Sequence, residues 1–164
     1  MKNQLSFEQI QLRFPEGCNI ILGQSHFIKT VEDIYEAITG TLPGEKFGLA
    51  FAEASGPKLV RSDGTDLELK HVAEENILRL GCGHVFMVVL SRAYPIQVLP
   101  GIKNVPEVCR IYCASANQVQ VIVGRTQQGG GILGVVDGEA PLAVEIEEDV
   151  ESRIELLKRI GYKR

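Results

Sequence analysis

The chain has no tryptophan, two methionines and only three histidines in 164 residues, and aromatic side chains make up 6% of it. A core built from it therefore has to be aliphatic. Lysine and arginine number 17 against 21 acidic residues, a net charge of −4, and nowhere do they gather into a basic stripe. That balance excludes a general attraction for nucleic-acid phosphates, so any phosphate site must be local. No stretch approaches the roughly 20 apolar residues of a membrane span. The segment Met1 to Arg13 alternates polar and apolar residues without the apolar block of a signal peptide. A cytoplasmic protein with no membrane or nucleic-acid partner is expected. Four cysteines, Cys18, Cys82, Cys109 and Cys113, contain no Cys-x-x-Cys pair, which disfavours zinc. Free cysteines of this kind pack as small hydrophobes.

What is present suits a single domain over residues 1–164, since 45% hydrophobic content is enough for a sizeable core. Leu5 to Phe14 alternates as a strand with a bulge near Glu8 and Gln9, and Cys18 to Leu22 forms a second strand. Thr30, with Asp33 three positions on, predicts a helix that carries Val31, Ile34, Tyr35 and Ile38 and stops at Gly40. Phe47 to Ala52 and Lys58 to Arg61 read as a hairpin. Thr65 and Glu68 form a capping box for a second helix closed by Gly81. The run Val85 to Leu90 has no polar residue, which marks a central strand covered on both faces.

Pro95 can open a short helix through Ile102 that Pro100 would interrupt. Val108 to Ala114 and Gln118 to Gly124 read as strands joined in a hairpin, and Ile132 to Val136 as one more. A last helix carries Val150, Ile154 and Leu157 inward and stops at Gly161, ahead of the basic pair Lys163 and Arg164. Interleaved strands and helices with hairpin connections predict an α/β fold, a layered mixed sheet covered by helices in one compact domain.

Three loops suit phosphate, because glycines let backbone N–H groups converge on an anion: Gly23 to Lys29, Gly81 to Gly83, and Gln127 to Gly131. None matches the P-loop pattern, and Gly81-Cys82-Gly83 follows a helix and precedes a strand, the reverse of the Rossmann order. His84 stands at the entry to the apolar strand, where a partly buried neutral imidazole could act as nucleophile or simply be a satisfied strand-edge ring. His26 lies near the start of the Thr30 helix, where an anion would meet the helix dipole and Lys29. His71 falls on a polar helix face. Asp137 follows a strand, a place for a metal-binding or base carboxylate and equally for the first residue of a tight turn. Lys29 and Arg125 are candidate phosphate contacts.

Four strings carry more than any motif: Gly23 to Asp33, Phe47 to Gly56, Gly81 to Phe86, and Ile132 to Gly138, supported by Ile102 to Val108 and Ile160 to Lys163. Together they resemble the archaeal and bacterial adenosine-specific kinase family over nearly the whole chain. The resemblance implies a compact α/β fold unlike the usual nucleoside kinases, binding of adenosine or AMP, and a stably phosphorylated histidine. It also implies a homo-oligomer, a trimer or a multiple of one. The chain departs from the family pattern at Val98 to Gly101, where residues compatible with a continuous helix are usual. On this basis the catalytic candidates are His84, His26 and Asp137. The nucleotide contacts expected are Gly23, Gln24, Ser25, Lys29, Gly81, Gly83, Gly129 and Gly130. ATP or another phosphate donor is implied, with Mg²⁺ or a hydroxyl proton falling to Asp137. The other reading is an adenine-nucleotide-binding oligomer whose phosphohistidine is a regulatory or structural mark; a third is an interaction scaffold working through exposed sheet edges, with no ligand.

Overall fold

The computed structural model of the chain describes residues 5–162; Met1 to Gln4 and the basic pair Lys163 and Arg164 lie outside the described residues. The strands are β1 (Ser6–Gln11), β2 (Asn19–Ser25), β3 (Phe47–Ala52), β4 (Val60–Gly64), β5 (Val85–Leu90), β6 (Val108–Ser115), β7 (Val119–Arg125) and β8 (Gly130–Asp137). The helices are α1 (Thr30–Thr41), α2 (Leu67–Leu80), α3 (Pro95–Lys103) and α4 (Glu147–Arg159).

The α/β layering holds, with the strands divided between two sheets, ordered β4-β3-β5-β2-β6 and β1-β7-β8. Every strand ladder is antiparallel, and the parallel contact is an isolated bridge between Cys82 and Gly130. The cause is the place of β5. It inserts between β2 and β3, which run the same way, so each finds an antiparallel neighbour. All six residues of β5 are buried, as an all-apolar sequence requires of a strand with two covered faces. One face, Phe86, Val88 and Leu90, packs with Ile21, Leu49 and Phe51 against α1 and α3. The other, Val85, Met87 and Val89, packs against α2 and the inner face of the small sheet, Val119, Val121 and Val123.

Several local expectations are corrected. Asp66, not Thr65, caps α2, its Oδ1 accepting from the amides of Glu68 and Leu69 at 3.1 Å each. Thr65 instead ties the preceding turn to Glu45 and Phe47. Thr30 is the first residue of α1 rather than its cap, its hydroxyl turned inward to Ser25 and to the carbonyl of Phe27. Gly40 lies within α1, which runs to Thr41 and is capped by Leu42. Pro100 sits inside α3 without breaking it, because a proline six residues in removes a single amide donor. The register of β1 is regular; the irregularities fall between β7 and β8 at Ile122 and Val123 and between β2 and β6 at Leu22/Gly23 and Gln24/Ser25. The segments β6 and β7 form no hairpin: β6 pairs with β2, while β7 crosses to the small sheet. Gly81 closes α2 in the left-handed conformation, φ 55°, as expected. On α4, Val150, Ile154 and Leu157 are the most covered positions, yet they are only half-buried and no residue of the helix is buried.

Candidate functional site

Antiparallel pairing brings the two histidine loops to one end of the large sheet. Gln24 pairs with Val85, so the next residues, Ser25 and His84, meet beyond the ladder, where the amide of Ser25 donates to the carbonyl of His84 at 2.9 Å. The amide of His84 donates in turn to the carbonyl of Ala52 at 2.8 Å. The C-terminal ends of β2 and β3 and the N-terminal ends of β5 and β6 therefore converge there.

His84 has φ 61°, one of two non-glycine residues in the left-handed region among the described residues. That conformation costs a residue with a Cβ about 1–3 kcal/mol and persists only where the surroundings impose it. Here hydrogen bonds on both sides of the peptide impose it, and the ring stacks on Phe51 with centroids 5.9 Å apart and planes 12° from parallel. The imidazole is thus half-buried on the α1 side of the sheet. His26 is exposed, its amide donating to the carbonyl of Glu107 at 3.2 Å. His71 lies far from both, an exposed ring hydrogen-bonded to Glu74 at 2.9 Å.

Beneath the His26 loop lies a buried polar cluster. Ser25 Oγ, within hydrogen-bonding reach of the Thr30 hydroxyl, donates to the carbonyl of Glu107 at 3.0 Å. The Lys29 ammonium bonds Asp33 Oδ2 at 2.7 Å and stands 3.9 Å from Glu107 Oε1. The hydrogen bond from Lys29 holds the Asp33 carboxyl below its ordinary range, with a lesser contribution from the Glu107 carboxyl beside it. The same pairing raises Lys29. Lys29 is consequently a committed cation, and the start of α1 is lined by carboxylates rather than open to an anion.

A cleft of about 730 Å³ opens on the other side of the Gly81-Cys82-Gly83 turn, a volume suited to a small ligand. Gly81, Gly83, Gly129, Gly130, Glu53 and Lys58 line it. Gly130 is required by packing, since a Cβ there would stand 2.9 Å from the carbonyl of Gly81, whereas a Cβ on Gly129 would meet nothing within 4 Å. Arg125 itself is occupied, donating to that carbonyl at 3.0 Å and to Glu8 at 2.9 Å. The amide of Gly81 is spent on capping α2. Glu53 is clamped by the Leu59 amide at 2.9 Å and by Arg61 at 2.8 Å, and these bonds, the amide first, hold its carboxyl low.

Of the residues singled out from sequence, Gly23, Gln24, Ser25, His26 and His84 come together at the sheet end, with Lys29 beside them. Gly81, Gly83, Gly129 and Gly130 share the cleft. Gly23 is bare because a Cβ there would fall 2.4 Å from the ring of Phe86. Gln24 accepts from the Tyr112 hydroxyl at 3.2 Å. Asp137 is not with them: it ends β8, whose eight residues carry it roughly 20 Å from the Cys82–Gly130 bridge. Its Oδ1 accepts from Ser115 at 2.5 Å and Asn117 at 3.3 Å, which fixes the corner between β6 and β7. Sequence reasoning missed Glu107, Phe51 and Glu53 as parts of the site. The available signal for Glu107 was a lone acid between Pro106 and a strand.

An α/β chain without P-loop or Rossmann order, with two histidine loops joined at one sheet end, defines a class apart from the common nucleotide folds. The family described as adenosine specific kinase matches residues 10–163, and the chain belongs to that family. The crystal structure of the PH1918 protein from Pyrococcus horikoshii OT3 superposes with a TM-score of 0.93 at 44% identity, covering 98% of this chain and 99% of that one. No curated protein matches the chain. Among the described residues no helix is long and apolar enough to cross a membrane.

Proposed function

We propose that this chain transfers a phosphoryl group to adenosine by way of a histidine, with His84 as the carrier. The observation that supports it is the strained, doubly anchored backbone of His84, which holds a half-buried ring against Phe51 at the convergence of four strand ends. A neutral ring nitrogen attacks the terminal phosphorus of ATP or a similar donor, forming the N–P bond as the bond to the leaving nucleoside diphosphate breaks. The adenosine 5′-oxygen then attacks phosphorus, the N–P bond breaks, and AMP leaves. His26, exposed on the adjoining loop, is the other candidate carrier. This reading places the nucleotide in the cleft beside Gly81 to Gly83.

Among the described residues no group of three or more His, Cys, Asp or Glu forms a cation cage. Asp137, already hydrogen-bonded within its corner, is a poor fit for Mg²⁺, and no step here is routed through a metal.

A homo-oligomer, a trimer or a multiple of one, is part of this reading. The segment after β8 leaves Leu142 102%, Val144 89% and Ile146 60% exposed, and α4 buries none of its residues within the protomer. Apolar surface of that kind is normally covered by a partner. Leu142→Ser with Val144→Ser should lower the mass seen by sedimentation; an unchanged mass removes this arm from the interface.

The central test is incubation with labelled ATP, with and without adenosine, followed by intact-mass measurement. Acid-labile phosphate on the wild type that is absent from His84→Ala, together with labelled AMP when adenosine is added, supports the proposal. Retention of the adduct by His84→Ala moves the carrier to His26. A stable adduct never discharged by adenosine favours the nucleotide-binding oligomer without turnover.

A further inference from the structure

The second non-glycine residue in the left-handed region is Lys58, with φ 53°. It closes the turn that follows β3, where its amide donates to the carbonyl of Ser55 at 3.2 Å. Glycine would make that turn without strain, whereas any side chain there is strained. Residues held in such conformations gather at ligand clamps, so the presence of a lysine calls for an explanation. Its surroundings supply one. Three turns wall the cleft: Glu53 to Lys58, Gly81 to Gly83, and Thr126 to Gly131. The first two touch, since a Cβ on Gly83 would stand 2.9 Å from that of Ala54. Ala52, Val60, Ile77 and Leu133 give the cleft an apolar wall. Among the described residues that line it, Lys58 is the one cation and Glu53 the one acid. Glu53 is already neutralised by Arg61, at 2.8 Å. Lys29 and Arg125, the phosphate contacts expected from sequence, spend their charge on Asp33 and Glu8. Lys58 makes no ion pair among the described residues. The cleft therefore joins an apolar surface to a single uncompensated positive charge, a match for a ligand that is flat and apolar at one end and anionic at the other.

We propose that Lys58 binds the phosphate of an adenine nucleotide in this cleft, with its ammonium donating to the phosphate oxygens and the base lying on the apolar wall. The assignment rests on the placement of the nucleotide given above. It makes Lys58 the residue that distinguishes nucleotide from nucleoside, because adenosine fills the same wall and offers the ammonium no charge.

The test titrates AMP, adenosine and inorganic phosphate by calorimetry into the full chain as wild type, Lys58→Met, Lys58→Gly and Lys58→Arg. AMP should bind about tenfold or more weakly to the methionine and glycine variants, the loss expected for a hydrogen bond between charged groups. Adenosine should bind all four proteins within about twofold, and arginine should restore most of the affinity for AMP. The glycine variant relieves the turn, so its loss of AMP binding cannot come from a weakened fold. Unchanged AMP affinity in both variants overturns the proposal, as does an equal loss of AMP and adenosine, which would make Lys58 a structural residue of the turn. Inorganic phosphate should fail to displace AMP at equal concentration, since it leaves the apolar wall empty; displacement would make this a site for free phosphate and overturn the nucleotide assignment. If wild type binds neither AMP nor adenosine, the nucleotide reading falls and this inference with it. Tight binding of AMP by wild type and variants alike removes Lys58 only.

Discussion

Replacing His84 separates backbone strain from chemistry. Its φ of 61° is a conformation that glycine adopts freely and alanine does not. His84→Ala keeps the strain and loses the stack on Phe51, worth about 0.5–1.5 kcal/mol. His84→Gly loses the same stack and gains about 1–2 kcal/mol by relieving the left-handed residue, offset by about 0.5–1 kcal/mol of extra chain entropy in the unfolded state. The glycine variant should therefore be the more stable of the two by about 0.75 kcal/mol, the difference between the midpoints of those two ranges, and lie within about 1 kcal/mol of wild type. For a chain of this size that separates the two midpoints by about 1–4 °C. Urea and thermal unfolding of the three proteins measure it, and intact mass after incubation with ATP should find both variants without the adduct. An alanine variant as stable as the glycine one would refute the strain argument. A glycine variant that still carries phosphate would refute the carrier.

Gly48→Ala should cost about 3 kcal/mol or prevent folding, because its Cβ would meet the main chain of Leu69 at 2.1 Å and push α2 off β3; an unfolding midpoint close to wild type would contradict that packing. Alkylation at pH 8 should modify Cys109, the exposed thiol, and spare Cys113, whose burial pushes it up to about 11; mass mapping that finds Cys113 modified first would overturn the assignment. Asp66→Ala should lower the thermal midpoint at pH 7. Hydrogen bonds from the Leu69 amide and its neighbours hold the native Asp66 carboxyl below its ordinary 3.8, so its contribution is present above that pH and lost as the pH falls further. The gap between variant and wild type should accordingly narrow in acid, and a gap that widens would reverse the sign.

Much of the architecture was legible because its cause is local. The six apolar residues of β5 can only be covered on both faces, and Gly81 follows the last inward leucine of α2, where a left-handed cap belongs. The meeting of the His26 and His84 loops was not legible, since it depends on β2 pairing with β5 across α1, β3, β4 and α2. The capping box at Thr65 misled by one position because Asp66 offers an equally good acceptor, and Thr65 is drawn instead to Glu45 and Phe47. Asp137 drew attention as an acid after a strand, yet only tertiary structure shows that the strand points it away from the histidines. Glu107 was hidden for the opposite reason: nothing in Val105 to Val108 signals that its carboxyl will be buried beside Asp33.

The pairing of β1 imposes an order on biosynthesis. Four strands of the large sheet lie between Asn19 and Leu90, so most of that sheet can assemble while the ribosome is still working. The first strand cannot join early, because Ser6 must wait for Arg125. The opening segment, with Phe7 exposed even in the finished molecule, stays unpaired until β7 has been made. The small sheet therefore closes after those four strands of the large one, and its waiting first strand is open to capture by another nascent strand.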